Sequence, residues 1–137
     1  MYVILNIKTN TRVKPNLSYR TIKAAKAEID YYLENSEEIV NRQSANINQQ
    51  RGYVSNYQKQ YDDVRNNIQA LSHLPYKDVC AEIDILSNRQ QMLFELVKER
   101  KGILKDLEVN QRNNIKHYNL VLNHYKVAEL SFTPVKD

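Results

Sequence analysis

From Ile29 to Leu71 the chain keeps to one rule: core-type positions recur at alternating spacings of four and three. One series holds Leu33, Val40, Ile47, Val54, Tyr61 and Ile68; its companion holds Ile29, Ser36, Gln43, Gln50, Tyr57, Val64 and Leu71. A 3.5-residue repeat of this kind predicts a helix with a coiled-coil seam. A second pair of series follows Pro75. Ile83, Gln90, Val97, Leu104, Gln111, Tyr118 and Tyr125 alternate with Val79, Leu86, Leu93, Arg100, Leu107, Asn114 and Val121. Pro75 lacks a backbone donor and suits the first turn of a new helix, so the turn falls at 72–75. Two long helices with so short a connection fold back as an antiparallel pair. If residue i faces residue 147 minus i, twelve successive layers join seam to seam without an insertion. At 1.5 Å per residue such a hairpin is roughly 65 Å long.

The seam is apolar beside the turn and polar farther from it, where Gln50, Arg100, Gln43, Ser36, Gln111 and Asn114 interrupt it. Polar seam groups weaken a core and fix its register or partner. A second apolar stripe runs along one flank: Tyr32, Ile39 and Tyr53 on the first helix, Leu96 and Ile103 on the second. A lone hairpin leaves that stripe in water, and a large exposed apolar patch marks an interface. The stripe therefore predicts a homodimer of two hairpins, against the simpler reading of scattered surface aliphatics.

Outside the heptads the period changes. Tyr2-Val3-Ile4-Leu5-Asn6-Ile7 reads as a strand, Lys8 to Thr11 as a turn, and Val13 as the start of a return strand ending before Pro15. Thr21 is placed to cap a helix through Ile22 to Ala27, which either continues into the hairpin or breaks near Asn35. After Tyr125, Leu130 and Phe132 alternate with polar residues as a strand does. Folding back brings both ends together, so the terminal strands can pair, within one chain or exchanged with a second. The predicted class is mainly α: a long antiparallel coiled-coil hairpin with a small β head. Residues 1–26 form the N-terminal part of the head, 27–125 the hairpin, and 126–137 the C-terminal strand.

Charge sharpens the picture. The net +4 is unevenly spread: Met1 to Ala27 holds Lys8, Arg12, Lys14, Arg20, Lys23 and Lys26 with no carboxylate, and Val109 to Ala128 holds Arg112, Lys116 and Lys126 with none. The rest of the chain then reads as mildly acidic. Both acid-free segments fall at the head, where Tyr19 sits among the cations. A directed positive field of this sort favours acidic protein surfaces or polyanions. The partner-binding set is accordingly Lys8, Arg12, Lys14, Tyr19, Arg20, Lys23, Lys26, Arg112 and Lys116.

Motifs for catalysis are scarce. With glycine only at Gly52 and Gly102, no glycine-rich phosphate loop can be built. His117 and His124 stand seven apart on one helical face, too far to share a metal, and Cys80 has no base beyond His73 near it. The adjacent pairs Glu37-Glu38 and Asp62-Asp63 diverge on a helix. Neither a cofactor nor an enzymatic activity is expected. A single cysteine fits a reducing compartment, and the opening apolar run is too short for a signal or membrane segment, which predicts a cytoplasmic protein. Lysine, asparagine, isoleucine and tyrosine exceed a third of the chain. In that composition it resembles in type the small accessory proteins of phages and mobile elements, some of which block host enzymes. The expected function is a protein–protein interaction module, adaptor or inhibitor; the alternative is sequence-tolerant nucleic-acid binding by the same head.

Overall fold

Two helices account for most of the chain: α1, Ile22–Leu71, and α2, Tyr76–His124. A computed structural model describes residues 1–130. The helices pack against each other, and three short strands form an antiparallel sheet from both ends of the chain. The strands are β1 (Tyr2–Asn6), β2 (Thr11–Arg12) and β3 (Tyr125–Glu129), in the order β2-β1-β3. The mainly α hairpin with a β head built from both termini is therefore the fold. The first helix does not break at Asn35; its heptad phase runs through. It begins at Ile22, before the predicted hairpin start, because Thr21 Oγ1 accepts the Ala24 amide at 3.1 Å and caps it there. Tyr125, expected as a seam residue, is instead the first residue of β3. Ser131 to Pro134, including Phe132, lie outside the described residues.

The chain divides into two compact units. The turn unit, residues 43–110, contains the later part of α1, the 72–75 turn and most of α2. Its core is the seam: Ile47, Val64, Val79, Leu93 and Val97 are buried, Leu93 to 2% exposure. Its polar seam residues meet one another. Arg100 Nη1 donates to Gln50 Oε1 at 3.4 Å, and the guanidinium lies 5.0 Å from the centre of the Tyr53 ring. Arg100 thus reaches Gln50, one turn along α1 from its expected layer mate Ile47, since helical side chains lean toward their own N-terminus. Arg100 Nε and Gln43 Oε1 are buried without a hydrogen bond.

The terminal unit comprises residues 1–42 and 111 onward. Here the seam is shorter, and a sheet covers what the helices leave. Val3, Ile4, Ala25 and Val121 are buried, with Ser36 the buried polar residue of the seam. Gln111 Nε2 donates to the Val40 carbonyl at 3.2 Å. β1 pairs with β3 from Tyr2↔Glu129 to Asn6↔Tyr125, so the sheet closes within one chain.

Candidate partner-binding site in the terminal unit

The sheet hairpin places the first cations. Asn6 Oδ1 accepts the Lys8 amide at 3.1 Å, Asn10 takes a left-handed backbone (φ 55°), and the chain reverses to pair Leu5 with Arg12. Asparagine tolerates this conformation better than bulkier residues. The return continues past β2: the Val13 amide donates to the Ile4 carbonyl at 3.0 Å, and Tyr2 and Tyr19 exchange two backbone hydrogen bonds of 2.7 Å.

Three of the predicted partner-binding residues are engaged in holding this arrangement. Arg12 is half-buried; its Nη2 donates to the Leu17 carbonyl at 2.9 Å, while its Nε is buried without a partner. Lys14 pairs with Glu28 at 3.2 Å and lies 5.3 Å from the Tyr32 ring centre. The Tyr32 hydroxyl first, and Glu28 second, raise its pKa. Tyr19 is half-buried at the bridge to Tyr2, and burial, then the Glu28 charge, pushes its phenol up. Arg12 holds the 12–19 segment to itself, Lys14 ties it to α1 and Tyr19 ties it to β1.

The others face water. Lys8, Arg20, Lys23, Lys26, Arg112 and Lys116 are exposed. Lys8 and Lys116, one from each acid-free segment, line one open groove of about 280 Å³ with Asn119, Leu120, Asn123 and His124. The groove exists because the Ile7 amide donates to the His124 carbonyl at 2.9 Å, which fixes the end of β1 beside the end of α2. Two ammonium groups with amide and imidazole donors suit carboxylates or phosphates. Arg112 stands one helical turn before Lys116. A second groove, about 400 Å³, lies along β3 and the start of α1, lined by Tyr2, Ile22, Lys26, Ile29, Lys126, Val127 and Glu129.

Asn119, Asn123, His124, Lys126 and Val127 were not singled out in the sequence. Lys116, Asn119 and Asn123 share a helical face at spacings of three and four, which was readable. Their meeting with Lys8 depends on the strand register and was not.

The acidic excess expected between the two acid-free segments divides unevenly between the units. Residues 43–110 carry nine basic and nine acidic groups and are neutral. The described part of the terminal unit carries ten basic against six acidic groups. The carboxylates from Glu28 to Glu38 on α1 hold that acidic excess, and they belong to the terminal unit.

The predicted dimer stripe is unevenly displayed. Tyr32 lies inside the terminal unit, edge-on to Tyr125 at 6.3 Å, with its hydroxyl buried. Ile39 is 38% exposed. In the turn unit Tyr53 is 37% exposed, and Leu96 and Ile103 are half-buried. The more exposed apolar side chains of α2 there are Ile85, Met92 and Phe94. Phe94 borders a groove of about 340 Å³ with Tyr61 and Val97, rimmed by Gln58, Lys98 and Lys101. Among the described residues no group of three His, Cys, Asp or Glu side chains is arranged to hold a metal ion, and no helix is long and apolar enough to cross a membrane.

Comparison with known proteins gives no match to a family model, a curated protein or a solved structure.

Proposed function

We propose that this chain is a non-enzymatic interaction module, an adaptor or inhibitor, whose terminal unit binds an acidic surface of a partner protein. The observation that carries the reading is the groove in which Lys8 and Lys116 stand together with Asn119, Asn123 and His124. The whole excess of positive charge lies in the same unit, so long-range attraction and short-range hydrogen bonding point to one place. Lys8 and Lys116 then replace Arg12, Lys14 and Tyr19 as the residues on which capture depends.

The test is affinity capture from the source cell, compared between the wild type and Lys8→Glu/Lys116→Glu. A partner identified by mass spectrometry that is lost with the double variant, while circular dichroism is unchanged, supports the reading. Capture that survives the double reversal contradicts it. A gel-shift titration at two salt concentrations decides the nucleic-acid alternative: micromolar binding that collapses with added salt is its signature.

A homodimer belongs to the same proposal, with Ile39 and Tyr53 the flank residues left for a second copy to cover. Light scattering that returns a monomer mass at tens of micromolar removes the dimer and leaves the binding site untouched.

A further inference from the structure

β3 is an edge strand, and the hydrogen bonds at its ends tell which of its backbone groups point outward. The Leu130 amide donates to the Met1 carbonyl at 2.8 Å, and the Ile7 amide donates to the His124 carbonyl at 2.9 Å. In an antiparallel ladder the hydrogen-bonded pairs alternate with non-bonded ones. With the register Tyr2↔Glu129 to Asn6↔Tyr125, the bonded pairs are therefore Val3 with Ala128 and Leu5 with Lys126. Tyr125, Val127 and Glu129 turn their N–H and C=O groups the other way. On β1 the same alternation sends Tyr2 and Ile4 toward the opposite side, where Tyr19 and Val13 meet them. Nothing equivalent meets β3: among the described residues no backbone group pairs with the outward groups of Tyr125, Val127 or Glu129.

A strand of five residues whose outer edge no described residue pairs with is a template for another strand. Sheet edges that stay free are usually blunted by proline, a bulge or charge; here Lys126 and Glu129 are the charged residues, and no proline or bulge interrupts the strand. Alongside it runs the second groove of the terminal unit, lined by Tyr2, Ile22, Ile29 and Val127 and by Lys26 and Lys126 against the single carboxylate of Glu129. A strand laid on this edge sends alternate side chains toward that groove.

We infer that the outer edge of β3 receives an extended segment of the partner protein, added antiparallel or parallel as a fourth strand, with apolar residues on the Val127 face and carboxylates on the opposite, Lys126 face. Charge selects this occupant over a second copy of the chain. Two copies meeting edge to edge bring together two units that each carry an excess of positive charge, whereas an acidic segment is attracted by both. The inference rests on the reading above, that the terminal unit binds acidic protein, and adds the mode of binding.

The probe is a synthetic ten-residue peptide of alternating valine and glutamate, with two controls. One control is N-methylated at alternate backbone nitrogens so that it cannot add to a sheet; the other has lysine for glutamate. Binding is read by fluorescence anisotropy, and amide hydrogen exchange is followed residue by residue by NMR. The expected result is binding of the unmodified acidic peptide at least tenfold tighter than either control. With it, exchange at the Tyr125, Val127 and Glu129 amides slows at least tenfold. Val127→Pro and Glu129→Pro each remove an outward N–H without touching the β1 ladder, and each weakens binding at least tenfold. Glu129→Pro lies at the strand end, so it serves if Val127→Pro disturbs folding.

Equal binding of the plain and N-methylated acidic peptides overturns the edge inference and leaves the acidic-partner reading standing. No binding of either acidic peptide overturns both. Slow exchange at the three amides in the free protein, at any concentration, shows the edge already covered and overturns the inference. Slowing that grows with protein concentration shows a second copy there and does the same.

Discussion

The two units are built from the same pair of helices and solve different problems. In the turn unit a single seam must hold two helices together, and most of its seam side chains are only half-buried. Nothing else is added, the charges balance, and stability depends on a few buried residues such as Leu93 and Val97. In the terminal unit the seam is shorter, and a sheet drawn from both ends of the chain supplies Val3 and Ile4 to the core. That closure fixes the strand register, and the register carries Lys8 to Lys116. The contrast separates a scaffold made by local periodicity from a binding surface made by long-range pairing.

The largest way to break the contrast is Leu93→Ala. Removing a side chain that is 2% exposed destabilises the protein by about 2–5 kcal/mol. Hydrogen exchange should accelerate across residues 43–110 before it does in β1 and β3. Equal acceleration everywhere would mean that the two units unfold as one. Next in size, replacing Arg100 and Gln50 together by leucine removes a long hydrogen bond and a buried, unpaired guanidinium nitrogen. The denaturation midpoint should rise, by about 1–3 kcal/mol of stability, because apolar packing outperforms an imperfect buried polar pair. A fall shows that this pair contributes more than its geometry suggests.

Smaller again are Gly52→Ala and Gly102→Ala. Nothing lies within 4 Å of a methyl group added at either position, so each should stabilise the turn unit by about 1 kcal/mol through helix propensity. Denaturant titration of the two single variants checks this.

The smallest effect is one of pH and belongs to the terminal unit. Lys14 is held above its ordinary 10.5 by Tyr32 and Glu28, and Tyr19 and Tyr125 above 10.0, chiefly by burial. In each case the folded chain binds the proton more tightly than the unfolded chain. The contribution is therefore complete below about pH 10 and is lost as pH rises through the folded values. NMR at stepped alkaline pH should show β1, β3 and the 12–19 segment loosening first. Lys14→Met should lessen this pH dependence, with little effect at neutral pH where the pair with Glu28 is partly exposed.

The heptads made the helices legible, because every seam residue between Ile29 and Val121 is buried or half-buried and the turn sits at its proline. The strands were legible as segments, since β-branched runs outside a 3.5-residue repeat have few other uses. What could not be read was which polar side chains remain free. Arg12, Lys14 and Tyr19 look like surface residues in the sequence, but Arg12 is tied to the Leu17 carbonyl, Lys14 to Glu28 of α1, and Tyr19 to the Tyr2 backbone. Tyr32 depends on the same kind of pairing: its heptad position faces a flank, and Tyr125 reaches it through the strand that follows α2. Local pattern located the elements; the side chains they leave in water depend on pairings of distant residues.

The most direct measurement of where partners bind is a titration of isotope-labelled protein with poly-L-glutamate at low salt, read by backbone amide shifts. Changes are expected to concentrate at Lys8, Lys116, Asn119, Asn123 and His124 and to be reversed by added salt, with residues 43–110 unmoved. Changes centred on Tyr61 and Phe94 in the turn unit, or none anywhere, would contradict the proposed site.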